Sequence, residues 1–176
     1  MSAKNILKNI KDNKIEYVDL RFTDPRGKLQ HVTQDLATVD ENMLNDGIFF
    51  DGSSIAGWKA INESDMILKP DLSSSFVDPF FSHNTLVLFC DVMDPITKKY
   101  YERDPRSTAK KAEEYLKKTK IGDTAYFGPE PEFFVFDDVK FSNDMNKTGF
   151  EIDSIEGPYN TGKKYDNGNM GHRPKI

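Results

Sequence analysis

The 176-residue sequence lacks many of the features by which a function can be read directly. It has one cysteine, Cys90, so no internal disulfide and no thiolate zinc site can form, which agrees with a reducing compartment. Its three histidines, His31, His83 and His172, are scattered without metal-ligand spacing, and it contains a single tryptophan, Trp58. Basic charge is not in excess: 24 Lys and Arg against 29 Asp and Glu leave a net charge of −5 and a pI near 5.3, which excludes a basic nucleic-acid grip as the default reading. No window holds the roughly 18 consecutive apolar residues of a membrane span. The lysine-rich start also lacks the apolar stretch of a secretory signal, so a cytoplasmic location is expected. There is no Gly-x-x-x-x-Gly-Lys run, hence no P-loop, and no internal repeat.

Aromatic mass is present. Thirteen Phe and seven Tyr are more than a disordered chain of this length would carry, and they can build a core. Residues 2 to 12 place Ile6, Leu7 and Ile10 at helical spacing behind a capping Ser2. Residues 15 to 23 alternate, with Val18, Leu20 and Phe22 on one face and Tyr17, Asp19 and Arg21 on the other, the pattern of a half-buried strand. Asp24-Pro25-Arg26-Gly27 has the preferred residues of a type I turn, so 28 to 34 should return as a hairpin. A short helix is expected over 39 to 46, ended by Gly47. Strands are expected at 66 to 68 and 85 to 93, the latter apolar on both faces and therefore central. This makes an α+β domain over residues 1–102.

Composition changes at Arg103-Asp104-Pro105-Arg106. Asp104 suits a cap and Pro105 a first helical position, and Ala109, Ala112, Tyr115 and Leu116 then form one stripe of a helix that opens a second domain, residues 103–176. A strand is expected over 124 to 137. From Asp137 to Ile176 only Val139, Ile152, Ile155 and Ile176 are aliphatic, while five residues are Gly and five Asn, and the stretch ends at Gly171-His172-Arg173-Pro174-Lys175-Ile176 with no helix or strand pattern to close a domain. Such a stretch buries little alone; it is either a disordered tail or a segment whose packing partners are missing.

Three groups of residues could carry chemistry. Glu130 and Glu132, two apart in the expected strand, would project from one face about 6.6 Å apart at 3.3 Å per residue. Oxygen ligands at such spacing suit neighbouring hard cations, Mg²⁺ or Mn²⁺. Pro129 and Pro131 remove donors from that strand's edge, leaving it open. Spacing alone favours the plainer reading, a solvated edge-strand face. Asp51 in Phe50-Asp51-Gly52-Ser53-Ser54 either caps a turn or binds a cation or takes a proton. Ser53 and Ser54 have no nearby His to act as base, so a serine nucleophile is not expected. Trp58 fits a stacking platform or, more commonly, packing; Cys90 fits a small core residue.

Taken together, Phe50-Asp51-Gly52-Ser53-Ser54-Ile55-Ala56-Gly57-Trp58, then Asn62-Glu63-Ser64-Asp65, then Phe127-Gly128-Pro129-Glu130-Pro131-Glu132-Phe133-Phe134, closely resemble bacterial type I glutamine synthetase, in order and spacing, from about residue 4 to the end. The resemblance implies a β-grasp N-terminal domain followed by the start of the catalytic domain, an antiparallel sheet with helices. It implies ATP-dependent ligation of ammonia to glutamate through an acyl phosphate, with two Mg²⁺ or Mn²⁺ ions per site. Glu132 matches a ligand of the metal nearer glutamate, and Glu130 one of the metal nearer the ATP phosphates. Asp51 matches the aspartate that binds and deprotonates ammonium in the neighbouring subunit's site. Asp65 matches an acidic residue beside it, with Ser53 and Trp58 in the vicinity. His172-Arg173-Pro174 resembles the stretch before a further strand. The implied partners are glutamate, ammonium, ATP and copies of itself in a double hexameric ring.

Family chains are more than twice this length, and their remainder carries the other metal ligands and the substrate arginines. The chain is thus expected to be an N-terminal portion, not competent alone. Two alternatives are a glutamyl-polyamine ligase, against which the intact Asp-Gly-Ser-Ser segment argues, and a stand-alone β-grasp interaction module that joins a full-length synthetase.

Overall fold

The computed structural model describes residues 1–58, 60 and 63–164. Asn62 and His172-Arg173-Pro174 lie outside the described residues. The chain divides into two compact units, residues 1–125 and 126–176.

The first unit opens with α1 (Ala3–Asp12), where the Ser2 hydroxyl accepts from the Asn5 amide at the N-cap and Ala3, Ile6 and Ile10 are buried. β1 (Tyr17–Thr23) and β2 (Leu29–Asp35) pair antiparallel from Tyr17↔Asp35 to Thr23↔Leu29. Asp24 organises the turn between them: its Oδ1 accepts from the amides of Arg26 and Lys28, both at 2.9 Å, and Gly27 takes φ +83°. Asp40 caps α2 (Glu41–Asp46), and Gly47 ends it at φ +85°, ψ −172°. Next come β3 (Ile48–Asp51), β4 (Asp65–Pro70), the two-residue β5 (Phe76–Val77) and β6 (Thr85–Met93).

The sheet order is β2-β1-β6-β4-β3, with β5 added against β6; β1 and β6 run parallel and the other pairs antiparallel. β6 is central, as its two-sided apolar run requires, and Leu86, Val87, Leu88 and Val92 are fully buried. α1 and α2 cover the sheet face that presents Val18, Leu20, Met66 and Leu68 to one core, to which α2 adds Met43 and Leu44.

β1 is more than half buried, because Asp19 on its polar face is enclosed as well. The Asp19 carboxylate accepts from Arg21 Nε (2.8 Å), His31 Nδ1 (2.8 Å) and Thr33 Oγ1 (2.9 Å), and Arg21 also pairs with Asp78. Alternation alone cannot show this, since the polar face is closed by a network rather than by apolar residues.

α3 (Pro105–Thr119) docks on the same unit through charge. Asp104, fully buried, accepts from the amides of Arg106 and Ser107 and the Ser107 hydroxyl. Arg106 bridges Asp71 and Asp91, and Lys110 reaches Asp91. Its expected stripe is uncovered: Ala109, Ala112 and Tyr115 are exposed.

The second unit corrects two expectations. Residues 124 to 137 form no strand. Pro129 and Pro131 withhold two donors, and no described strand pairs with the segment, so there is no ladder to define it. Conversely, the aliphatic-poor stretch contains a regular hairpin, β7 (Asp138–Asp144) with β8 (Lys147–Asp153), registered from Asp138↔Asp153 through Val139↔Ile152 and Phe141↔Phe150. A loop returns over its end, where the buried Asp153 carboxylate accepts from the Asn160 side chain and from the Thr161 amide and hydroxyl.

Candidate functional site

β3 is an edge strand, and Asp51 is its last residue. In the β3–β4 register Asp51 stands opposite Asp65, so two exposed carboxylates share one end of the ladder. Beyond Asp51 the chain tightens into a single helical turn over Gly52–Ser54. The Ser53 amide and hydroxyl both donate to Asp51 Oδ1, at 2.8 and 2.6 Å. Those bonds, from the Ser53 hydroxyl first and its amide second, hold the Asp51 carboxyl below the usual carboxylate range, with Ser64 contributing in the same direction. Asp51 therefore stays ionised and acceptor-only at neutral pH, on an exposed residue.

The turn is tightly seated. The Gly52 amide donates to the Ser64 carbonyl at 2.7 Å, and a Cβ at Gly52 would lie 2.5 Å from the sulfur of the fully buried Met66. Ile55 is buried below it, and the turn closes on Trp58. Trp58 is 5 % exposed and packs among Phe22, Phe50 and Tyr101 at ring-centroid distances of 5.2 to 6.0 Å within the cluster. Tyr101 and Arg103, which carried no signal in the sequence, anchor the end of the turn: Tyr101 Oη donates to the Trp58 carbonyl at 3.1 Å and Arg103 Nη1 to the Gly57 carbonyl at 2.9 Å. Contacts across more than 40 residues have no sequence signature.

Glu130 and Glu132 belong to the second unit. Both are exposed in an extended, proline-punctuated segment, flanked by Phe127, Phe133 and Phe134, themselves at least 80 % exposed. The structure thus brings Asp51, Ser53 and Asp65 together in one unit and leaves the two glutamates adjacent in the other. Clefts of about 370 and 250 Å³ are lined by residues such as Phe141 and Phe150, or Tyr17, Phe81 and His83, and by none of the four acids, which face open solvent. Among the described residues no group of three or more His, Cys, Asp or Glu side chains is gathered for a metal. The donor chemistry of Glu130 and Glu132 fits hard divalent cations, and one carboxylate per ion would fill only part of an octahedral shell.

Residues 14–95 match the family model described as glutamine synthetase, beta-Grasp domain, and residues 102–174 match that of the glutamine synthetase catalytic domain. The chain is 59% identical over 175 residues to a glutamine synthetase of Rhizobium meliloti and 51% identical over 176 residues to that of Escherichia coli. These alignments take in 99% and 100% of this chain but 37% and 38% of those proteins, so the chain spans somewhat over a third of the length of the curated relatives it matches. Its fold is similar to that of a Plasmodium falciparum glutamine synthetase solved by electron cryomicroscopy, with a TM-score of 0.64 at 26% identity, covering 86% of this chain and 29% of the other. The mixed sheet is the β-grasp domain, and α3, which falls within the catalytic-domain match, packs with it in the first compact unit. With both family models matched in order and bacterial relatives similar along its whole length, the chain belongs to the type I glutamine synthetase family.

Proposed function

We propose that this chain supplies the ammonium-handling corner and part of the metal-binding wall of a glutamine synthetase. That enzyme joins ammonia to L-glutamate with release of ADP and phosphate. In the reaction, the γ-phosphoryl group of ATP passes to the glutamate side-chain carboxylate. The lone pair of ammonia then attacks the acyl carbon and phosphate leaves. Ammonium has no lone pair, so a base must take its proton first. Asp51 suits both tasks: an exposed, ionised carboxylate attracts the cation, and one of its oxygens accepts the proton. The single observation that carries this reading is the Asp51 turn, a solvent-facing carboxylate fixed by two Ser53 donors opposite a second acid, Asp65.

Glu132 and Glu130 are proposed as ligands of the ions nearer glutamate and nearer the ATP phosphates respectively. Bound Mg²⁺ or Mn²⁺ would neutralise charge on the phosphates. The functional division at residues 102 and 103, the assembly into a homo-oligomer in which Asp51 serves a neighbouring subunit, and a cytoplasmic location belong to the same reading. Among the described residues no helix is long and apolar enough to cross a membrane.

The test is a chimera in which residues 1–176 replace the matching segment of the Rhizobium meliloti enzyme. ATP- and Mg²⁺-dependent glutamine formation from ammonium, with no glutamyl-polyamine product, is expected. A soluble chimera that couples only polyamines, or neither amine, refutes the proposal.

A further inference from the structure

We infer that Tyr101 and Arg103 are positioning residues for the Asp51 turn, coupling the start of the catalytic-domain segment to the ammonium-handling carboxylate. The inference deepens the reading above and rests on it. Within the stretch from Gly52 to Trp58, the Ile55 amide donates to the Gly52 carbonyl and the Trp58 amide to the Ile55 carbonyl, each at 3.2 Å. Its first residue is held by the 2.7 Å bond to the carbonyl of Ser64, the residue before β4. Its last two carbonyls, those of Gly57 and Trp58, are held by Arg103 and Tyr101. Those two donors grip the end of the turn from outside it, beside the packing of the buried Trp58 ring among Phe22, Phe50 and Tyr101.

The clamp is itself rigid. Tyr101 is 8% exposed and meets Trp58 edge-to-face at 5.7 Å, its amide donates to the Val92 carbonyl at 2.8 Å, and its carbonyl accepts from the Asp104 amide at 3.1 Å. Asp104, fully buried, caps α3 and also accepts from the Val92 amide. A displacement of the start of α3 is therefore carried through Tyr101 and Arg103 to the Gly57–Trp58 carbonyls and on to the turn that orients Ser53 against Asp51. The catalytic-domain match begins at residue 102, at this clamp.

Two measurements separate the clamp from the reading it rests on. In the 176-residue chain, Tyr101→Phe removes one hydroxyl and keeps the ring, while Arg103→Gln alters an exposed side chain. Each is expected to speed amide exchange at Ile55 and Trp58 about 3- to 10-fold, the value of one net hydrogen bond, and to leave Leu88 in β6 unchanged. Unchanged exchange at Trp58, or equal acceleration at Leu88, overturns the inference. In the chimera, Tyr101→Phe is expected to raise the ammonium KM about 3- to 10-fold with ATP and glutamate KM within about twofold, and to add nothing in an Asp51→Asn background. Full additivity would mark Tyr101 as merely structural and overturn the inference. Should Asp51→Asn alone leave the ammonium KM unchanged, the functional reading fails while the exchange measurement still judges the clamp.

Discussion

Gly47→Ala should cost this protein a substantial part of its stability, for a reason visible in two numbers. Gly47 ends α2 and starts β3 at φ +85°, ψ −172°, a region essentially closed to residues with a Cβ, where strain is about 1–3 kcal/mol. A Cβ there would lie 2.2 Å from the Leu68 carbonyl oxygen and 2.9 Å from the Ile67 Cγ2 atom. The carbonyl is backbone in β4 and cannot rotate away, so relief requires β3 to lift from β4, with an overpacking cost of about 1–3 kcal/mol. The reduced freedom of the unfolded chain returns only about 0.4–1 kcal/mol. The net loss is about 1–5 kcal/mol against a typical total of about 5–15 kcal/mol. Because the β3–β4 register also sets Asp51 opposite Asp65, the same displacement disturbs the site. Urea unfolding followed by emission of the single tryptophan, Trp58, measures it. Gly27→Ala is the control, since Gly27 shares the positive φ (+83°) but has nothing within 4 Å of the new Cβ. It should lose only the left-handed backbone penalty of about 1–2 kcal/mol. Equal losses in the two variants would refute the argument, because the clash would then contribute nothing.

Two further outcomes follow from the charged groups. Burial raises the Asp19 pKa, but hydrogen bonds from Arg21, His31 and Thr33 outweigh it and leave the carboxyl below its ordinary 3.8. The unfolded chain therefore binds the proton first, so this contribution to stability is complete above about pH 5 and lost as pH falls through the lowered value. The urea midpoint should fall between about pH 5 and 3, and Asp19→Asn should flatten that fall; an equally steep fall in the variant would contradict the assignment. In the chimera, Glu132→Gln should lose most activity at low Mg²⁺ and recover partly with excess metal, and an unchanged Mg²⁺ dependence would remove Glu132 from the metal site.

The elements most legible in the sequence were those fixed by local chemistry. Ser2 and Asp104 cap the helices they were expected to cap, Gly47 ends the helix it was expected to end, Asp24 to Gly27 form the turn between β1 and β2, and the two-sided apolar run of β6 sits at the centre of the sheet. The features that local sequence does not encode depend on partners distant in sequence. The 124 to 137 segment has strand-like residues but no described strand to pair with, and proline at 129 and 131 leaves little to bond. The β7–β8 hairpin was obscured by counting aliphatics, whereas the alternation of Val139 with Phe141 and of Phe150 with Ile152 carries the period of two on aromatic residues. At the site, Asp51 was legible from its motif, and its cross-strand partner Asp65 only from the resemblance. The enclosure of Trp58, and its tether to Tyr101, required the fold.

The measurement that bears most directly on the central claim is ammonium saturation of the chimera with and without Asp51→Asn. The asparagine keeps size and removes both the negative charge and the proton acceptor. The ammonium KM is expected to rise by tenfold or more, with the ATP KM within about twofold, a loss equivalent to at least about 1.4 kcal/mol confined to one substrate. An unchanged ammonium KM, or a larger effect on ATP than on ammonium, would contradict the assignment of this corner to ammonia.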